Sequence, residues 1–173
     1  MILSNINAQN TKVEVSKLVE EYLTDLGLKV HDLDFSRPWG GFFVIEENQI
    51  KKFKELFFDE VTLTEKQYEM KLSPKILVVS PAARLSWQYH HRRAELWKLI
   101  AGEAGIVRSQ TDEQGDTQLM KTGKTVSLSQ GERHRLVGLD TWGVVAEIWM
   151  HTDPNQPSDE SDIVRVSDDY SRK

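Results

Sequence analysis

Residues 12–26, KVEVSKLVEEYLTDL, put Val15, Leu18, Val19, Tyr22, Leu23 and Leu26 on one face at the i, i+3, i+4, i+7 spacing of an amphipathic helix. Thr11 is placed to cap its start and Gly27 to stop it. RPWGG, residues 37–41, is a cluster of chain breakers around a tryptophan, and a second helical pattern over 47–58 aligns Ile50, Phe53 and Phe57. From residue 75 the period shortens. KILVVS is an apolar run ended by Pro81, RLSWQYH alternates, ELWKLIAG is a further run, and GEAG reads as a turn. AGIVRS and TQLMKT flank SQTDEQGD as the arms of a hairpin. KTVSLS and HRLVG follow, separated by QGER, and GVVAEIWMH is the last strand. Seven or so short strands with turns between them predict an all-β antiparallel sandwich or barrel behind an N-terminal helical extension. DPNQPSDES is a loop, and DIVRVSDDYSRK is a tail expected to fold back on the body.

Strand parity sorts the polar residues. Gln88 and His90 share a face with Ser86 and Arg84, whereas Leu85, Trp87 and Tyr89 point the other way. If HHRRA is a tight connection, Gln88, His90 and Glu95 converge across a hairpin, with His134 arriving from a later strand. Two imidazoles, a carboxylate and an amide suit a divalent cation. In the last strand Val144, Ala146, Ile148 and Met150 form an apolar face, while Val145, Glu147, Trp149 and His151 form the other. A glutamate between Val145 and Trp149 is costly without a partner.

Composition narrows the chemistry. The chain has 173 residues, the size of one domain, and no cysteine, which excludes disulfides and thiolate metal sites. A net charge of −5 argues against a general nucleic-acid binder. No basic head with an apolar core marks a secretory signal, and no apolar run reaches the roughly 18 residues of a membrane span. A cytoplasmic protein without membrane or nucleic-acid partners is expected. Arg84, Arg92, Arg93, Lys98, Arg133 and Arg135 concentrate positive charge in two segments, a field suited to a small anion.

The spacing Gln88-x-His90, four residues, Glu95, six residues, Gly102 resembles the first cupin motif, where H-x-H is usual. Gly123, five residues, Ser129, then Gly131, two residues, His134 resembles the second, with serine where proline is usual. Arg37-Pro38-Trp39-Gly40, Lys75, Leu85-Ser86-Trp87-Gln88, His90-His91, Arg93-Ala94-Glu95, Trp97, Gly102, Ala104, His134-Arg135-Leu136, Asp162-Ile163-Val164-Arg165 and Asp169-Tyr170-Ser171-Arg172 resemble the cupin domain of type II phosphomannose isomerases, over roughly residues 36–172. The resemblance implies a double-stranded β-helix (jelly-roll) barrel over 36–173, with residues 1–35 as a helical extension. It implies Gln88, His90, Glu95 and His134 as ligands of one divalent metal, zinc first, with iron, manganese or nickel as other occupants. The activity implied is aldose–ketose isomerisation of a phosphorylated sugar through a cis-enediol(ate). The metal would polarise the carbonyl, and a general base would move the proton between carbons. Glu147 is the first candidate base and His91 the second. Arg93, Arg165 and Arg135 are candidates for the phosphate, and Trp87 and Trp97 for walls of a sugar-sized cavity. Arg92 replaces the third histidine of the family's HHH, Lys98 follows Trp97 where an apolar residue is usual, and Gly138 stands where asparagine often ends the second motif. These departures leave the metal set intact and the sugar open among hexose, pentose and heptose phosphates. Two other functions stay open: a non-catalytic sugar-phosphate-binding cupin and another metal-dependent cupin enzyme such as an iron dioxygenase. A homodimer is compatible with a domain of this size.

Overall fold

The computed structural model describes residues 2–172. A 3-10 turn over Ile2–Asn5 leads into α1 (Lys12–Asp25), β1 (Val30–Asp34), β2 (Gly40–Ile45), α2 (Ile50–Phe57), α3 (Glu65–Tyr68), β3 (Lys75–Val79), β4 (Trp87–Tyr89), β5 (Arg93–Ser109), β6 (Gln118–Leu119), β7 (Thr125–Leu128), β8 (Arg133–His151) and β9 (Val164–Ser167). α1 begins at a capping box: the Thr11 hydroxyl accepts from the Glu14 amide and the Glu14 carboxylate accepts from the Thr11 amide. It ends at Gly27, whose φ of +67° favours glycine.

The strands form one antiparallel sheet in the order β1-β2-β3-β8-β4-β9, with β5 paired to β6, β7 and β8. The spine is the pair of long strands β5 and β8, in register from Arg93↔His151 to Ser109↔Arg133. Four segments expected as separate strands are therefore halves of two continuous ones. GEAG is not a turn. The register slips there, so that residues 139–142 of β8 lie opposite Glu103 alone. Gly102 makes this kink possible: its φ is +69°, and a Cβ would lie 1.8 Å from the Trp142 carbonyl oxygen.

The alternation of β8 divides the core. Val144, Ala146 and Ile148 face outward and meet the helices, where Val15, Val19, Leu23, Phe53 and Phe57 are buried with Ile76 and Val78 of β3. Val145 faces the barrel interior with Trp97, Leu99, Leu77 and Val79. Burying α1's three inaccessible side chains contributes roughly 1.5–3 kcal/mol each. Residues 2–35 thus pack against the outer face of the sheet and supply β1, which pairs with β2. The tail folds back as expected: β9 pairs with β4 through Gln88↔Arg165. The architecture is an all-β cupin barrel with a helical extension.

Candidate metal centre and cavity

Three strand rows build the site, because cross-strand partners share a face. Gln88 of β4 pairs with His134 of β8 on one side and with Arg165 of β9 on the other. Glu95 of β5 pairs with Trp149 of β8, and Glu147 of β8 lies between Lys75 of β3 and Trp97 of β5. These rows border a cavity of about 470 Å³, lined by Gln88, Glu95, Trp97, Glu147, Arg93 and Lys75 toward the barrel, and by Trp39, Arg37, Arg165 and Arg172 among others.

His90, Glu95 and His134 are buried, with one potential ligand atom from each within 4.8 Å of the others. His90 Nε2 lies 3.1 Å from Glu95 Oε1, and His134 Nε2 lies 3.3 Å from Glu95 Oε2. The outer nitrogen of each ring is tied to a backbone carbonyl: His90 Nδ1 to Asp162 at 2.5 Å and His134 Nδ1 to Glu132 at 2.8 Å. Donation from Nδ1 to a carbonyl turns the Nε2 edge of each ring toward Glu95, the orientation found for metal-ligating imidazoles. Glu95 Oε2 and His134 Nε2 are buried without a hydrogen-bond partner. Orphaned buried acceptors of this kind are costly unless a cation satisfies them. The residues therefore fit a divalent ion, whose identity the donor set leaves open. Gln88 adjoins the triad through its pairing with His134, and its Oε1 accepts from the Ser86 hydroxyl at 2.5 Å.

Two carboxyls in the cavity are driven apart. Burial alone would raise Glu95, but the His90 and His134 imidazoles overcome it and hold that carboxyl well below its ordinary value. Glu147 is raised to about 7, first by burial and then by the Glu95 charge, with Lys75 and Arg93 opposing. Its Oε2 accepts from Trp97 Nε1 at 2.8 Å. The face carrying Glu147 thus meets the barrel interior and not solvent.

Arg93 is buried. It donates through Nε to Glu95 at 2.9 Å and through Nη1 to Ser158 and to the Asp159 carbonyl, and its guanidinium lies 4.0 Å from the centre of the Trp149 ring. Arg165 lines the cavity near Arg172 and Arg37; burial, the Arg172 charge and, more weakly, the Arg37 charge lower its pKa, against the pull of Asp168. Arg172 is clamped to Asp168 and Arg37 to Asp34.

His91 and Arg135, expected in catalysis and phosphate binding, are not brought to the cavity. His91 is exposed and packs its ring edge-on against Tyr89, 5.2 Å away, because its parity is opposite to that of His90. Arg135 is buried on the far side of β8 from His134, bonded to the Leu85 carbonyl, Gln114 and Asp169. Trp97 walls the cavity, but Trp87 does not: it packs with Val107 and Val137 and donates to the Asp112 carbonyl. Conversely, Lys75, Asp32 and Arg172 line the cavity without having been assigned a role there. RPWG reads equally as a packing turn and as part of a pocket, and its Arg37 and Trp39 line the cavity.

The tail completes the site. The Asp162 carboxylate accepts from the backbone amides of His91 and Arg92, both at 2.9 Å, and from the Ser158 hydroxyl at 2.7 Å. It thereby holds the turn that carries His90, while its own carbonyl engages that ring.

Comparison with known proteins agrees with this geometry. Mannose-1-phosphate guanylyltransferase of Escherichia coli K12 is 26% identical over 166 residues, 95% of this chain and 28% of that protein. The xanthan biosynthesis protein XanB of Xanthomonas campestris is 28% identical over 137 residues, 79% of this chain and 23% of that protein. The chain spans about a quarter of the length of these relatives. The first match also takes in part of residues 1–35, beyond the stretch in which the sequence motifs lie. Among solved structures, the capsular polysaccharide assembling protein CapF of Staphylococcus aureus superposes with a TM-score of 0.50 at 17% identity, covering 80% of this chain and 31% of that one, a likeness of fold. Among the described residues, no helix is long and apolar enough to cross a membrane. The family model for the mannose-6-phosphate isomerase C-terminal region matches residues 59–168, well over half of the chain, and the chain therefore belongs to that cupin family.

Proposed function

We propose that this domain is a metal-dependent aldose–ketose isomerase acting on a phosphorylated sugar, of the mannose 6-phosphate type. The reading rests on one juxtaposition: a buried His–Glu–His centre, which reaches the cavity through Glu95, and a separate buried carboxyl, Glu147, which lines the same sugar-sized cavity. When bound, a divalent ion, zinc in the first instance, supplies Lewis acidity toward a carbonyl and its neighbouring hydroxyl. His90, Glu95 and His134 would hold it, with the Gln88 amide beside them. Glu147 is the base. Ionised above about pH 7, it takes the proton from C2 and returns it to C1 of the resulting enediolate, while the hydroxyl proton passes from O2 to O1. Trp97 keeps the Glu147 carboxylate in place through its indole N–H. Arg165, with Arg37 and Arg172 at the same rim, offers the fork geometry that suits phosphate. Arg93 braces Glu95 and presents positive charge toward the reacting end.

The test is proton exchange in heavy water. Zinc-loaded protein is incubated with aldose phosphates of five, six and seven carbons, and NMR follows the C2 proton and any ketose formed. Exchange with one sugar, lost in His134→Ala, is the expected result. No exchange with any sugar despite bound metal would refute the isomerase and favour a binding module or a different cupin reaction.

A further inference from the structure

β3 carries a residue that the barrel has no structural need for. Its five positions, Lys75–Val79, are all buried, and the last four are apolar. Lys75 is the exception. Its side chain is 11% exposed and lines the cavity, next to Glu147 in the strand register and with its ammonium 4.6 Å from the centre of the Trp149 ring. Its ion-pair partner is Glu160, whose two oxygens lie 3.1 and 3.3 Å from Nζ. Glu160 belongs to the tail loop, and its side chain is 64% exposed. A pair with one half in water contributes little to stability. It does not offset the desolvation of a lysine at a position where an apolar side chain would pack at no such cost. The ammonium therefore stands in the cavity for a reason other than the fold, and the carboxylate opposite it is the kind of group an oxygen-rich ligand can replace.

We propose that Lys75 contacts the substrate, donating to an oxygen of the bound sugar beside Glu147, and that Glu160 occupies this donor until a ligand displaces it. The inference rests on the phosphosugar reading above. Lys75 has three N–H donors, and Glu160 engages them only through its exposed side chain, so a ligand oxygen can take its place while the rest of the loop stays anchored. Glu160 thus competes with ligand, and Lys75 sets how strongly ligand is held.

The experiment is calorimetric titration of the zinc-loaded full chain with mannose 6-phosphate and, separately, with inorganic phosphate. Glu160→Gln keeps the side chain's shape but weakens its hold on the ammonium; the sugar phosphate should bind about 2–5-fold tighter. Lys75→Met keeps the bulk and removes the donors; binding should weaken by roughly 10–100-fold. Lys75→Arg, which retains the charge, should recover part of that loss, and thermal unfolding of each variant separates lost binding from lost fold. Sugar phosphate bound equally well by wild type and a folded Lys75→Met overturns the proposal and leaves the isomerase reading standing, as does Glu160→Gln binding no more tightly than wild type. If Lys75→Met does not fold, the Glu160→Gln result decides alone. Wild-type protein that binds metal but neither probe overturns both readings.

Discussion

Glu147→Gln separates the cost of the buried carboxyl from its use. The amide keeps an oxygen to accept from Trp97 Nε1 and cannot ionise. Burial raises the Glu147 carboxyl from its ordinary 4.5 to about 7, with the Glu95 charge adding to the effect. The folded protein thus binds a proton there that the unfolded chain has released, and stability falls as pH rises from 4.5 through 7. Below 4.5 both states are protonated and the group contributes nothing. Above 7 the full cost applies, and the gap between 4.5 and about 7 corresponds to about 3 kcal/mol. Relative to wild type, Glu147→Gln should gain about 3 kcal/mol between pH 4 and pH 8 in urea unfolding with a chelator present, or about 6–12 °C in Tm. Groups unaffected by the substitution cancel in that difference. Zinc should shrink the gain, because a divalent charge beside Glu95 offsets part of the repulsion on Glu147. The same variant should lose proton exchange at C2. A stability difference that stays flat from pH 4 to pH 8 would refute the assignment of Glu147 as a buried carboxyl of raised pKa.

Removing a triad member, by Glu95→Gln or His134→Ala, should weaken zinc binding by more than about 100-fold in competition with a chromophoric chelator; unchanged affinity would move the metal elsewhere. Asp162→Ala, which frees the turn carrying His90, should weaken zinc by about 10–100-fold, and a loss of thermal stability with intact zinc affinity would make Asp162 merely a brace for the tail. Gly102→Ala sets a Cβ against the Trp142 carbonyl and should cost at least about 2 kcal/mol in urea unfolding; wild-type stability would show that the kink in β5 tolerates a side chain.

Period and punctuation made part of this fold legible. The stripe of α1, its Thr11 cap and its Gly27 stop lie where the spacing puts them, because a helix reads its own local signals. The two long strands were not legible. Glycine in GEAG is equally compatible with a turn and with a bulge, and only the long-range ladder between β5 and β8 chooses the bulge. Parity put Glu147 on one face with Val145 and Trp149 and already set Arg135 opposite His134. It could not place Lys75, since a uniformly buried strand shows no alternation from which to read a face. Arg37 and Trp39 stayed undecided for another reason. A breaker cluster has no periodicity, and its approach to the cavity depends on β2 pairing with β3 across the intervening α2 and α3.

The curl of β8 governs the order in which this protein can become competent. His134 and Glu147 lie thirteen positions apart on one strand, a span of roughly 43 Å if fully extended, yet both meet the neighbourhood of Glu95. Glu95 and His134 are 39 residues apart in sequence, and His90 depends on a carbonyl 72 residues away. His90 and Glu95 lie close in sequence and meet locally, but His134 must be brought in from a distant strand, so loop-closure entropy must be met before any ion finds three ligands. A divalent ion held by these three residues would therefore stabilise the finished ring rather than template it.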